Sequence, residues 1–188
     1  MQKPKLVIGI SGASGSIYAQ LLLKTLDTMY NQFENISIVM SNNAKTVWQT
    51  ELNNLDYLNY RFKLYDVQDF NAPFASGSAN FDTMIIIPCS MGTLAKIATG
   101  ISNDLLTRAA DVMLKEKRKL ILVVREAPYN LIHLKNMETI TLSGGIICPA
   151  SPSFYSKPNT IETLALTVVH RALSLSNIHI ENRFTWGQ

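Results

Sequence analysis

Short apolar runs alternate along this chain with longer mixed segments, and each kind has the length of a regular element. The apolar runs are predicted as buried strands at 5–10, 36–40, 83–87, 119–124 and 145–148. The longer segments are predicted as helices at 16–30, 43–52, 92–98, 103–117, 131–142 and 160–175. The stretch 66–80, with Pro73, Gly77 and small polar residues, is predicted to be irregular. Strands that alternate with helices predict an α/β fold, a doubly wound parallel sheet with helices on both faces.

Polar residues follow the predicted strands in one register. The segments concerned are 11–14, Ser41, 90–93, Arg125 with Glu126, and 149–155. In an open parallel sheet, ligands bind in the crevice beyond the carboxyl ends of the strands. The sequence therefore predicts a binding crevice at that edge of the sheet.

The segment IGISGASGSIYA, residues 8–19, predicts a strand that passes through a glycine-rich turn into a helix. Such a turn presents backbone amides and the positive end of a helix dipole to an anion, typically a phosphate. Its glycines, Gly9, Gly12 and Gly15, fit neither the dinucleotide pattern nor the P-loop pattern. A tight turn without a ligand remains the alternative.

Composition narrows the class of protein. The 188 residues suffice for a single domain over 1–188, and the net charge of +3 is too slight to suggest nucleic acid but suits a small anionic ligand. With no long apolar span and no signal peptide, we expect no membrane and a cytoplasmic location. Cys89 and Cys148 imply neither a disulfide framework nor a zinc cluster.

The low charge content bears on assembly. Charged residues make up 16% of the chain, against a typical quarter. Few charges indicate that less of the surface is exposed to water. We therefore expect part of the surface to contact other subunits in a homo-oligomer. A monomer of low charge is the alternative.

Five segments of the chain carry a resemblance to a known family: GASGSIYA, APFASGS, PCSMGTLAKIATGISNDLLTRAADVMLKE, REAPYNLIHLKNM and PASPSFYSKP. Through them, and over a match from residue 5 to the final WGQ, the chain resembles the flavin prenyltransferases, the UbiX family. The resemblance implies a flavodoxin-like, Rossmann-like sheet and a dodecamer. It also implies transfer of a dimethylallyl group from dimethylallyl monophosphate to N5 and C6 of reduced FMN. The product, prenylated FMN, would serve a partner decarboxylase of the UbiD type.

The resemblance also implies which residues contact FMN. They are Gly12, Ala13, Ser14, Ser41, Ser90, Met91, Gly92, Thr93 and Arg125. Hydroxyls and amides at strand ends can bind ribityl and phosphate oxygens, and Gly92 lets a ligand approach the start of a helix closely. The alternative for the SMGTLA segment is an ordinary N-cap and first turn.

Prenyl transfer requires a group that receives negative charge as the allylic phosphate leaves. Asp82, Asp104 and Asp111 are scattered, so no aspartate-rich motif for Mg²⁺ is evident. The three histidines have no metal-site spacing either. Fixed cations are therefore expected in place of a metal. The candidates are Lys115, Arg125 and Arg171, with Tyr155 and Ser14 as neutral donors.

Lys115 and Arg171 depend on the resemblance for their roles. Lys115 lies in the charge run KEKRK, which by itself favours a solvated helix face. Arg171 alone would be a surface helix residue. The resemblance implies that both, with Tyr155, bind the donor phosphate.

Two carboxylates, together with Ser14 and Lys115, are the candidate catalytic groups. Glu126 follows a buried strand beside Arg125, where it could accept the proton lost when the ring closes at flavin C6. The resemblance implies that Glu51 approaches the site from a neighbouring subunit. For either carboxylate, the alternative is an ordinary ion pair.

One departure from the family falls at the C-terminus. Thr185 precedes Trp186 where many relatives carry arginine. The change puts contacts within the oligomer in doubt more than it does catalysis.

Two other functions remain open. The related FMN-dependent cysteine decarboxylases share the fold, but they rely on a histidine after the first helix region and on a PASANT-like segment. Here that segment is ASGSAN, and no histidine precedes His133. A non-catalytic flavin-binding module would leave Lys115, Glu126, Tyr155 and Arg171 with no reason to occur together.

Overall fold

A computed structural model describes residues 3–180, 184 and 187. The departure at Thr185 and Trp186 lies outside the described residues. The strands are β1 (Lys5–Ile10), β2 (Asn35–Met40), β3 (Lys63–Tyr65), β4 (Thr83–Cys89), β5 (Lys119–Val124) and β6 (Ile146–Ile147). The α-helices are α1 (Ser16–Thr28), α2 (Asn42–Leu52), α3 (Met91–Ala98), α4 (Leu105–Lys115), α5 (Leu131–Leu142) and α6 (Ile161–Leu175).

The six strands form one parallel sheet in the order β3-β2-β1-β4-β5-β6. From β1 the chain winds outward to β3, and from β4 it winds outward in the other direction to β6. The strand order therefore reverses between β1 and β4, and in doubly wound sheets the ligand crevice opens at that reversal. The predicted doubly wound parallel sheet is confirmed, and its strand order is the Rossmann-like one.

The two faces of the sheet carry separate apolar cores. Along β1, Leu6, Ile8 and Ile10 pack with α1, α2 and α6, whereas Val7 packs with α3, α4 and α5 on the other face. All four side chains are buried. Burial on both faces is the physical reason why these strands appear in the sequence as continuous apolar runs.

One strand was missed by the sequence prediction, and the bounds of several elements differ from it by one or two residues at an end. The strand β3 was not predicted, because three residues at the edge of a sheet leave too short an apolar pattern. The predicted start of α6 at residue 160 is wrong by one residue, because Thr160 is the N-cap and exchanges hydrogen bonds with Thr163. No helix in the described part of the chain is both long and apolar enough to cross a membrane.

Candidate functional site

The carboxyl ends of the central strands are tied together by backbone hydrogen bonds. The amides of Ser41, Ser11 and Arg125 donate to the carbonyls of Ile10, Pro88 and Cys89, at 3.0, 3.2 and 3.1 Å. Each bond joins the first residue beyond one strand to the end of the neighbouring strand. The polar segments predicted from the sequence thus lie along one edge, as expected for a parallel sheet.

A side chain of the same subunit occupies the start of α1. Gly15 is the N-cap, with a φ of 110° that favours glycine. The Glu51 carboxylate accepts hydrogen bonds from the Gly15 amide at 3.0 and 3.1 Å and from the Ser16 amide at 2.7 Å. A carboxylate is favourable there because it lies at the positive end of the helix dipole. The implied approach of Glu51 from a neighbouring subunit is therefore corrected, since its carboxylate lies on the turn of its own chain.

The same contacts change the ionisation of Glu51. Partial burial would raise the pKa of this carboxyl, but hydrogen bonds outweigh that effect and lower the pKa below its ordinary value. The donors are the Ser14 hydroxyl, the Ser16 and Gly15 amides, and the Ser16 hydroxyl. The charged form is thus stabilised in the folded protein.

Replacing Glu51 with glutamine is expected to lower the free energy of unfolding by about 1 kcal/mol at neutral pH, a modest value because the side chain is exposed. The lowered pKa means that the carboxylate stabilises the fold above its ordinary pKa. This contribution is lost as the pH falls through the lowered value. Urea unfolding of wild type and Glu51→Gln should therefore converge at acid pH. Glu138→Gln, at an exposed position on α5, is the control, and an equal loss there would contradict the assignment.

The turn after β1 also contacts the start of α2. A Cβ atom at Gly12 would lie 2.5 Å from the Cβ of Asn43, so only glycine fits. Ser41 caps α2 by accepting a hydrogen bond from the Ala44 amide at 3.1 Å. Residues 12–14 and Ser41, both implied FMN contacts, are thereby held side by side.

The start of α3 combines a helix cap with an open surface. Ser90 is the N-cap, and its hydroxyl accepts a hydrogen bond from the Thr93 amide at 3.2 Å. The Met91 side chain is buried in the core, so its backbone is the part that can face a ligand. A Cβ atom at Gly92 would meet nothing within 4 Å. Ser90 therefore forms an ordinary N-cap, and a ligand can still reach the backbone amides of the first turn of α3.

Arg125 and Glu126 follow β5 at the same edge, and both are exposed. Burial raises the pKa of Tyr18 on α1, and the positive charge of Arg125 opposes that rise. The Arg125 guanidinium is therefore close enough to Tyr18 to interact with it electrostatically. The Oε1 atom of Glu126 accepts a hydrogen bond from the Ala127 amide at 3.0 Å.

Arg171 and Tyr155 lie beyond the end of β6. Arg171 lines a cleft of about 680 Å³ between α6 and the segment 148–159. Burial raises the pKa of the Cys148 thiol, and Arg171 opposes that rise. Tyr155 is exposed, and its ring stacks on Phe184, another residue of the cleft, at 6.4 Å between centroids.

Lys115 does not join the other candidates within one chain. It ends α4 and forms an ion pair with Glu116. Four residues later, Lys119 begins β5 opposite Thr83, the first residue of β4. Lys115 therefore lies at the amino edge of the sheet, about 20 Å from the carboxyl edge given the rise of a seven-residue strand.

Sequence reasoning passed over two residues that shape this site, Ser11 and Asn43. Asn43 is the residue against which Gly12 packs. Ser11 was noted only as part of a polar segment, although it is 2% exposed. A single polar residue between an apolar strand and a glycine is the available signal, but it cannot reveal a contact 77 positions away. Within the described residues, no group of three or more His, Cys, Asp or Glu could hold a metal ion.

Known proteins resemble the chain over almost its whole length. A family model described as Flavoprotein matches residues 1–172. The flavin prenyltransferase UbiX of Thermoplasma acidophilum is 45% identical over 93% of this chain and 95% of the relative. A dodecameric FMN-dependent UbiX-like decarboxylase from Escherichia coli O157:H7 is 38% identical, with a TM-score of 0.89 over 98% of this chain and all of the other. AnUbiX, crystallised with FMN and dimethylallyl pyrophosphate, is 36% identical, with a TM-score of 0.85 and the same coverage.

Proposed function

Because this chain belongs to the flavin prenyltransferase family, we propose that it joins a dimethylallyl group to N5 and C6 of reduced FMN. The donor is dimethylallyl monophosphate, and the product is prenylated FMN for a decarboxylase of the UbiD type. The observation that carries the proposal is the row of hydroxyls and amides at the reversal of strand order, with open space above Gly92. FMN, a flavin with one phosphate, can accept hydrogen bonds from these hydroxyls and amides.

FMN is held by the turns after β1, β2 and β4. The hydroxyls of Ser41, Ser90 and Thr93 and the amides of Gly12 and Gly92 supply hydrogen bonds to ribityl and phosphate oxygens. Ala13 and Met91 contact FMN through backbone groups, since both side chains are buried. Arg125 adds a positive charge at the end of β5.

The donor phosphate is bound by fixed cations. As the C–O bond of the donor breaks, the phosphate leaves with the bonding electrons, and Lys115, Arg125 and Arg171 stabilise the developing charge. Tyr155 donates a hydrogen bond to the phosphate. Ser14, whose hydroxyl helps to lower the pKa of Glu51, assists departure at the glycine-rich turn. No metal is needed for these steps.

The protein works as a homo-oligomer, which we propose is a dodecamer. On α5, Leu131, Ile132, Leu134 and Leu142 are 50 to 82% exposed, whereas Ile140 is buried. A helix that is apolar on most sides is normally covered. Lys115 requires the same assembly, because it can reach a flavin site only from another subunit.

The test is anaerobic incubation with reduced FMN and dimethylallyl monophosphate in excess EDTA, followed by mass measurement of the flavin. We expect the flavin mass to rise by one C5H8 unit, because a C5H9 group replaces the N5 hydrogen and, in the ring closure, the C6 proton lost balances the proton that the alkene gains. Parallel reactions with the diphosphate identify the preferred donor. Bound FMN of unchanged mass with either donor would favour the non-catalytic module. Loss of CO2 from a cysteine-terminated peptide would favour the cysteine decarboxylases.

A further inference from the structure

Ser11 forms hydrogen bonds between the two central strands at the point where the strand order reverses. Its hydroxyl donates to the Pro88 carbonyl at 2.9 Å and accepts from the Ser90 amide at 2.8 Å. Its own amide donates to the same Pro88 carbonyl at 3.2 Å. The side chain is 2% exposed, so water does not share these contacts. One buried hydroxyl thus links the end of β1 to the end of β4.

The two segments that this hydroxyl joins lead to opposite faces of the sheet. Gly12 follows Ser11 directly, and the turn continues into α1 on one face. Ser90 is the N-cap of α3 on the other face. Its amide is the one that donates to the Ser11 hydroxyl. The Ser90 hydroxyl in turn accepts a hydrogen bond from the Thr93 amide. The position of the first turn of α3 relative to the glycine-rich turn therefore depends on Ser11.

We propose that Ser11 is a positioning residue of the FMN site. It fixes residues 12–14 and residues 90–93 at the separation that one flavin bridging them requires, without contacting the flavin itself. The inference rests on the proposed function in that FMN is taken as the bridging ligand. Removing the hydroxyl would leave the part-buried Ser90 amide without its acceptor, and an unsatisfied donor shielded from water is costly. The segment would move to satisfy that amide, and the two halves of the site would separate.

The primary comparison is Ser11→Ala against Ser11→Thr. We expect alanine to weaken FMN binding by about ten- to fiftyfold, the range that one unsatisfied donor supports. Threonine keeps the hydroxyl and is expected to restore affinity to within about threefold of wild type. At saturating FMN, the KM for the donor should be unchanged in both variants. Flavin fluorescence quenching measures the affinity, and thermal unfolding without FMN measures stability.

Ser37→Ala is the matched control. Ser37 is a fully buried serine of β2, and its hydroxyl donates to the Asn35 side chain at 2.8 Å. The substitution removes the same atoms and one part-buried hydrogen bond, but that bond joins two residues of one strand. We expect a loss of stability with FMN affinity unchanged.

The outcomes separate this inference from the proposed function. Failure of the wild type to bind FMN would overturn both. If the wild type binds FMN and Ser11→Ala binds it equally well, the positioning role is wrong while the proposed function stands. It is also wrong if threonine weakens binding as much as alanine does. Should Ser11→Ala not fold, Ser11→Cys is close in size and has only a weak acceptor. Wild-type affinity in that variant would overturn the inference, and a loss of affinity would support it.

Discussion

Glu126→Gln is expected to slow ring closure at flavin C6 by about 100- to 10,000-fold, the usual contribution of a general acid–base group. The first bond, between the dimethylallyl group and N5, should still form at close to the wild-type rate. That step depends on departure of the phosphate, which the cations and Ser14 assist. The variant should therefore accumulate flavin carrying the group at N5 alone.

The physical reason lies in what glutamine preserves. Glu126 accepts the Ala127 amide through Oε1 and follows β5 directly, so the main chain holds it at the carboxyl edge of the sheet. The glutamine amide has nearly the same size, and its oxygen can accept the same bond, but it cannot take up a proton at neutral pH. Positioning is thus retained while the function as a base is lost.

Rapid-mixing absorbance under anaerobic conditions follows the two steps separately, because the singly attached flavin and the ring-closed product differ in spectrum although they have the same mass. Glu138→Gln, the same change at an exposed position of α5, is the control and should leave both rates unchanged. If Glu126 instead only anchors Arg125 and its loop, the substitution would weaken FMN binding. Both steps would then slow alike, and no intermediate would build up.

The fold could be predicted from the sequence because its signals are local. Five of the six strands appear in the sequence as apolar runs. An apolar run can be recognised without knowing which strand it pairs with. The edge strand Lys63–Tyr65 is defined by its pairing with β2, which is a tertiary contact. Local pattern therefore predicts the layers of this fold but not the full width of the sheet.

The site could be predicted in part for the same reason. Parallel strands place their carboxyl ends together, so Ser41, Ser90 and Arg125 follow from the order of elements alone. Glu51 binding to the turn of its own chain, and Ser11 binding to Pro88 and Ser90, depend on contacts between residues far apart in sequence. The family resemblance groups Lys115 with these residues, whereas the chain places it at the opposite edge.

That separation leads to the last prediction, which concerns two inactive variants produced together. Lys115→Ala should slow phosphate departure by about a hundredfold or more, as loss of a transition-state charge contact does. Glu126→Gln should block completion of the product. In an oligomer assembled at random from equal amounts of both, about a quarter of the sites would combine an intact Lys115 with an intact Glu126 from different subunits. We expect formation of prenylated FMN to recover to about that fraction of wild type.

The recovery has a strict control in the same chain. Arg125 and Glu126 are consecutive residues at the end of β5, so when Arg125→Ala and Glu126→Gln are co-expressed every chain carries one of the two defects and no site has both residues intact. In that mixture, formation of prenylated FMN should not recover. Ring-closed prenylated FMN would be measured by its absorbance spectrum in co-expressed, doubly tagged oligomers, with light scattering to establish their size. If the Lys115 and Glu126 variants recover nothing either, or if an active monomer is found, Lys115 does not act across subunits. The phosphate would then have to be stabilised by Arg125 and Arg171 alone.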